Sequence, residues 1–359
     1  MASDSRLQSL DVLRGLTVAA MILVNNGYRD SFEMLRHAPW NGLSVSDFVF
    51  PFFLFIMGVS LYLSLSKSNF RFSTRAFFKI LKRSLLLLAI GIAINWLEMA
   101  CDGKALLLSE LRFWAVLQRI AICYFIAALL ALLLKHRFIL PLSFILLATY
   151  GYILISGNGY SEDKNLNILY LTDAWLFGDS HLYHKSAVDP EGLLSTMSAL
   201  TNVLFGFYCG MRMKRGGNLL NKSLNCFVAG LILLSSGFIV NFFLPVNKHV
   251  WSPGFALVTS GACALALGLL IKWIDSDKIS NPLTLFFKVF GANALLLYIT
   301  SEIMAIFFGE WGISAAIFSF WSSFIPVPPL ASLCYALTYV LLNFLIGFPL
   351  WKKHIYIKL

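Results

Sequence analysis

The stretch His37-Ala38-Pro39-Trp40-Asn41-Gly42 is followed by Asp47, which stands four residues ahead of Pro51 in Asp47-Phe48-Val49-Phe50-Pro51. Histidine exchanges its proton near neutral pH, which suits a general base. A carboxylate beside it can hold one imidazole tautomer and stabilise the cation formed when the ring takes a proton. The plainer alternative is a loop histidine that does no chemistry. Pro51 cannot donate to the Asp47 carbonyl, so it is expected to kink the following helix at its outer end.

Further charged residues interrupt apolar sequence, where each needs a partner or a function. Arg119, in Leu117-Gln118-Arg119-Ile120, lies about 9 Å inside an apolar run at ~1.5 Å per residue. That depth implies a carboxylate, a phosphate or a water-filled cavity, with Glu98 and Glu302 as candidate acids. Asp11 and Arg14 share one helix face at a spacing of three. They read either as a cap with a snorkelling arginine or as an arginine facing an anionic ligand on the cytoplasmic side. Asp189-Pro190-Glu191-Gly192 and Pro245-Val246-Asn247-Lys248-His249-Val250-Trp251-Ser252-Pro253 stand at the outer entrances of later apolar runs. His181 and His184 lack a convincing third ligand, so no metal is expected, and no HExxH, Walker A or dinucleotide glycine pattern occurs.

The elements that must position these residues are membrane helices. Of the 359 residues, 58% are hydrophobic and only 13% charged, with a mean hydropathy of +0.76. A soluble protein is usually about 25% charged. Apolar runs of bilayer length recur, which excludes a soluble enzyme, a coiled coil and a β-barrel. The expected fold is an all-α integral membrane protein of about ten spans, near 10–27, 48–66, 84–99, 114–134, 138–156, 192–211, 223–243, 255–273, 287–308 and 329–351. A short re-entrant or interfacial helix is expected near 313–325. The whole chain, 1–359, reads as one membrane domain, with 157–191 its long, acidic non-cytoplasmic loop.

The net charge of +10 is mostly topology. Alternate segments assigned to the cytoplasm hold 20 of the 28 lysines and arginines, the bias that orients membrane proteins. Both termini are therefore expected in the cytoplasm, and no nucleic-acid partner is expected. The six cysteines are scattered singly without metal spacing, so a disulfide framework is not expected.

The segments from Arg6 to Gly15, Val24-Asn25, His37 to Gly42, Asp47 to Pro51, Leu117 to Ile120, Asp189 to Gly192 and Pro245 to Lys248, taken together, resemble the heparan-α-glucosaminide N-acetyltransferase family of transmembrane acyltransferases. The resemblance implies transfer of acetyl from cytosolic acetyl-CoA to the amine of an amino sugar across the bilayer. It maps the family's active histidine to His37, its acid to Asp47, its asparagine to Asn25 with Asn26 left open, and its LQR arginine to Arg119. Asn25 or Asn26 is then the oxyanion donor. Acetyl-CoA is expected near Asp11, Arg14, Gln118 and Arg119. The acceptor is expected near Trp40, Asn41, Asp189, Glu191, Asn247 and Lys248. His37 acts either as base for direct transfer or as a transient acetyl carrier. The animal enzymes carry an additional luminal N-terminal domain, so a bacterial-type member in the inner membrane is expected, and a homodimer is left open. An O-acetyltransferase acting on envelope polysaccharide and a small-solute transporter remain the competing readings.

Overall fold

A computed structural model describes residues 7–28, 30–183 and 186–357; Arg6 and His184, named above, lie outside them. Thirteen α-helices and no named strand occur among the described residues. In hydrocarbon, backbone N–H and C=O groups must be satisfied within the protein, and a helix does this locally. Among the described residues, eight helical segments are long and apolar enough to cross a membrane: Val45–Ser68, Thr74–Cys101, Val116–Leu133, His136–Ser156, Leu193–Arg215, Leu219–Asn241, Pro253–Ser276 and Pro328–Lys352. The chain is an all-α, multi-pass integral membrane protein.

The helices are α1 (Gln8–Asn25), α2 (Val49–Leu65), α3 (Thr74–Cys101), α4 (Val116–Leu133), α5 (Ile139–Ser156) and α6 (Ile168–Phe177). They continue with α7 (Leu193–Arg215), α8 (Leu219–Asn241), α9 (Pro253–Leu270), α10 (Pro282–Ala292), α11 (Ala294–Glu310), α12 (Ile313–Phe324) and α13 (Pro328–Lys352). Helices α7 and α9 are largely enclosed by protein, whereas α3 and α8 present most of their surface outward. Lipid offers no hydrophobic drive between helices, so close backbone approach does that work. A Cβ at Gly58 of α2 would overlap the backbone of Val203 in α7, and one at Gly206 of α7 would overlap that of Phe55. Gly15 and Gly291 do the same for α1 against α10.

The expected span 287–308 is broken: α10 and α11 meet at Asn293 with a bend of 82°. The Asn293 amide group donates to Ile355 O and accepts from Ile357 N, so the side chain binds the C-terminal tail at the break. The segment 157–191 contains a helix, α6, whose ten residues are too short to be read as a span. Helix α12 is likewise short and apolar, and it packs on α11 and α13. Pro51 does not kink α2, because the helix starts at Val49 and places Pro51 in the first turn, where a missing N–H costs nothing. A 3₁₀ turn, Val45–Phe48, leads into it.

Loops expected on one side of the bilayer do lie together. At one end, Gln8 N donates to Asp275 (2.9 Å), Lys214 Nζ to Ser66 Oγ (2.9 Å), and the Phe70 and His136 rings are 4.1 Å apart. At the other end the loops before α2, α4, α7 and α9 converge.

Candidate active site

The segment 37–48 is folded around one buried anion. Asp47 has no exposed surface, and its carboxylate accepts from Ala38 N (3.2 Å), Ser44 N (2.9 Å) and Ser44 Oγ (2.9 Å). Ser44 is the N-cap of the 3₁₀ turn and Asp47 its reciprocal partner, a capping box that fixes the carboxylate before any ligand arrives. Against it stands His37, with Nδ1 2.8 Å from Asp47 Oδ1. A proton on Nδ1 donates to that oxygen, which leaves the Nε2 lone pair to face outward.

A second loop, 245–253, zips onto the first. Gly42 N donates to Val246 O (2.8 Å), Asn247 Nδ2 to Asn41 Oδ1 (3.1 Å), and His249 Nε2 lies 3.2 Å from Ala38 O. The His249 ring stacks on Trp40, whose indole donates to Tyr160 O (3.1 Å). The polar groups of Asn41 and Asn247, expected to meet the acceptor, are engaged in joining the loops. This zipper delivers Lys248: its Nζ is 2.8 Å from His37 Nδ1, 2.9 Å from His37 Nε2 and 3.6 Å from Asp47 Oδ1. Burial lowers the Lys248 pKa, opposed by the nearby Asp47 and Glu191 carboxylates. Burial also lowers that of His249, against the pull of the Ala38 carbonyl.

Beside this group, Arg112 binds both acids of the Asp189-Pro190-Glu191 turn. Its Nη2 lies 2.7 Å from Asp189 Oδ1 and 2.9 Å from Glu191 Oε2, and its Nε donates to Asp189 Oδ2 at 3.2 Å. Burial opposes the charges of Arg112 and Glu191, yet mutual attraction wins: Arg112 is held above its ordinary value and Glu191 below its own. The sequence did not single out Arg112, whose ordinary loop position carries no signal of a partner 77 residues away. The two acids are therefore not free to bind a cationic acceptor by themselves. Asp173, on α6, is buried and accepts from Leu193 N at the start of α7 (3.0 Å). Its pKa is raised to about 6, burial outweighing that hydrogen bond.

Arg119 is fully buried, and neither Glu98 nor Glu302 is its partner among the described residues. Instead it donates to Gly192 O (2.9 Å) and to Ser195 Oγ, and its guanidinium lies 4.8 Å from the centre of the Trp251 ring. Trp251 in turn donates to Asn202 Oδ1 (2.9 Å), whose amide bonds Ser260 (2.9 Å) in α9. Asn202 was missed, and Trp251 was named only as part of its loop, because neither carries a formal charge that would stand out in an apolar run. Two Arg119 nitrogens, Nε and Nη1, and both polar atoms of Gln118 have no hydrogen-bond partner within the protein. Buried donors of this kind are costly unless something else satisfies them.

The remaining expected residues bond to other partners. Asn26 is buried and caps Ile22 O in its own helix (2.8 Å), and Asn25 donates to Glu302 on α11 (3.3 Å). No hydrogen bond joins either asparagine to His37 or Asp47 among the described residues. Arg14 bonds Asp11 (3.1 Å), Ser60 of α2 (2.8 Å) and Gly291 O (3.4 Å), tying α1 to its neighbours. His181 is held by Leu111 O (2.6 Å) and stacks on Phe113.

Residues 6–176 match the family model described as heparan-alpha-glucosaminide N-acetyltransferase, catalytic. That segment contains His37, Asp47 and Arg119 but ends before Asp189 and Lys248. The heparan-alpha-glucosaminide N-acetyltransferase of Homo sapiens is 30% identical over 368 aligned residues, covering 86% of this chain and 54% of that protein. Its counterpart from Mus musculus is 28% identical, covering 86% of this chain and 55% of the relative. The chain thus spans about half the length of the curated relatives it matches. The resemblance to the heparan-α-glucosaminide N-acetyltransferase family carried by the motifs extends over 86% of the chain, and residues 6–176 match the model of that family's catalytic region.

Proposed function

We propose that this chain is a transmembrane N-acetyltransferase that moves acetyl from acetyl-CoA on the cytoplasmic side to the amine of an amino sugar on the other. The observation that carries this reading is the His37–Asp47 pair, 2.8 Å apart and prebuilt by the Ser44 cap, in a chain similar to proteins named for that activity. The Asp47 carboxylate holds the proton on Nδ1, and Nε2 takes the proton that the acceptor amine must lose. The amine displaces Lys248 from the His37 ring edge as it enters. Asn25 remains the candidate for stabilising the developing oxyanion, and to do so its side chain turns away from Glu302.

Coenzyme A brings phosphates and a pantetheine arm rich in amides. The unpaired Gln118 and Arg119 groups supply buried hydrogen bonds that such an arm can complete, and this supports their place on the donor side of the site. Asp11 and Arg14, at the other end of α1, suit the coenzyme's phosphate end, with Arg14 the attracting charge. The bacterial inner membrane is the proposed location, with both termini in the cytoplasm as the basic bias of alternate loops suggests.

The test is sealed vesicles loaded with labelled acetyl-CoA and supplied with glucosamine outside. N-acetylated sugar outside and free coenzyme A inside is the expected result. Solute uptake without chemical change would establish a transporter instead, and an ester rather than an amide in the product would move the acceptor to a hydroxyl.

A further inference from the structure

Lys248 places a primary amine where an acceptor amine must arrive. Its Nζ lies against the His37 ring edge between the two nitrogens, 2.8 Å from Nδ1 and 2.9 Å from Nε2, the one left over when Nδ1 faces Asp47. The approach is built into the fold, because the Gly42–Val246 and Asn41–Asn247 pairings set the register of the two loops. The lysine side chain is only 13% exposed. A thioester is attacked by the unprotonated amine, and burial shifts Lys248 toward that form.

We infer that Lys248 is a self-acetylation site: with acetyl-CoA bound and no acceptor present, its Nζ takes the acetyl group with His37 as base. The inference rests on the proposed acetyl transfer and adds a second nucleophile to the same site. Of the two protons the Lys248 ammonium must lose, one passes to His37 Nε2 and on to solvent. The nitrogen then forms a bond to the thioester carbonyl carbon, the carbon–sulfur bond breaks, and the second proton leaves with the coenzyme A thiolate as its thiol. The product is a neutral amide standing against Nε2. An amide does not pass its acetyl group on as a thioester does, so the modified chain is blocked, and turnover of sugar falls in step with the modification.

The experiment uses the purified full chain in nanodiscs, incubated with acetyl-CoA without sugar and mapped by peptide mass. Lys104, exposed and paired with Glu110, reports background chemical acetylation. Lys248 is expected to gain one acetyl group at least about tenfold faster than Lys104, and saturating glucosamine is expected to slow it. His37→Ala is expected to reduce labelling of Lys248 by about 10²-fold or more, the scale of general-base catalysis, with Lys104 unchanged. Turnover of glucosamine with Lys248 labelled no faster than Lys104 overturns the inference and leaves the acetyltransferase reading standing. Labelling of Lys248 without turnover of any amino sugar supports the inference and overturns the sugar as acceptor. Absence of both overturns both. Should His37→Ala fail to bind acetyl-CoA, wild-type protection decides: labelling undiminished by saturating glucosamine overturns the inference.

Discussion

Asp47 Oδ1 lies 2.8 Å from His37 Nδ1, and the two residues differ sharply in exposure: the aspartate side chain is fully buried, the histidine side chain 43% exposed. A buried anion fixed by backbone and serine donors thus reaches out to an accessible base. The charge is placed before the proton moves, which is how an orienting carboxylate lowers the cost of forming an imidazolium.

Replacing His37 by alanine is therefore expected to lower acetyl transfer by at least about 10²-fold while acetyl-CoA binding is retained. Asp47→Asn should lower kcat too, by losing the charge that stabilises the protonated ring. Both are checked by steady-state transfer and acetyl-CoA titration on the same detergent-purified material. Near-wild-type kcat for His37→Ala would remove it from the chemistry.

Arg119→Ala takes away a buried cation whose Nε and Nη1 have no partner in the protein. A charge-assisted hydrogen bond is worth roughly 1.5–3 kcal/mol, so acetyl-CoA should bind about 10- to 150-fold more weakly. Isothermal titration measures this, with thermal unfolding run in parallel. Unchanged affinity in a folded variant would confine Arg119 to holding Gly192, Ser195 and Trp251.

Arg112→Gln leaves Asp189 and Glu191 buried without their counter-charge. Loss of one partner from a buried ion pair costs about 3–5 kcal/mol, so a marked fall in Tm is expected. Adding Asp189→Asn and Glu191→Gln should restore much of it, because the stranded charges are then gone. A single variant as stable as wild type would show that water already screens the cluster.

Asp173 has a folded-state pKa raised to about 6 by burial. The folded protein then holds this proton more tightly than the unfolded chain does, so the group's penalty is complete above pH ~6 and is relieved as pH falls toward the unfolded value near 4. Asp173→Asn, which still accepts from Leu193 N, should raise Tm at pH 7.5 and lose most of that advantage by pH 4.5. Thermal unfolding across that range is the measurement. An equal change at both pH values would assign the effect to packing.

Bilayer-length apolar runs were enough to establish the membrane class and most of the spans, because backbone satisfaction in lipid is a local requirement. The His37–Asp47 pair was also readable, since its members are ten residues apart in one segment and differ in type from everything around them. The broken span at Asn293 was not, because its polar group is satisfied by a C-terminal tail some sixty residues on. Nor was α6, whose ten residues fall below the length at which an apolar run announces itself.

What the tertiary structure alone decided is which loop ends meet. Lys248 reaches His37 across 211 residues, and Arg119 finds a carbonyl, a serine and an indole where its charge had suggested a carboxylate, a phosphate or a water-filled cavity. Those meetings depend on which helices lie side by side. Adjacency is set by close backbone contact at glycines such as Gly58 and Gly206, and by loop–loop pairing such as Gly42 with Val246. Neither leaves a periodic trace in the sequence, because each depends on the shape of a partner distant along the chain.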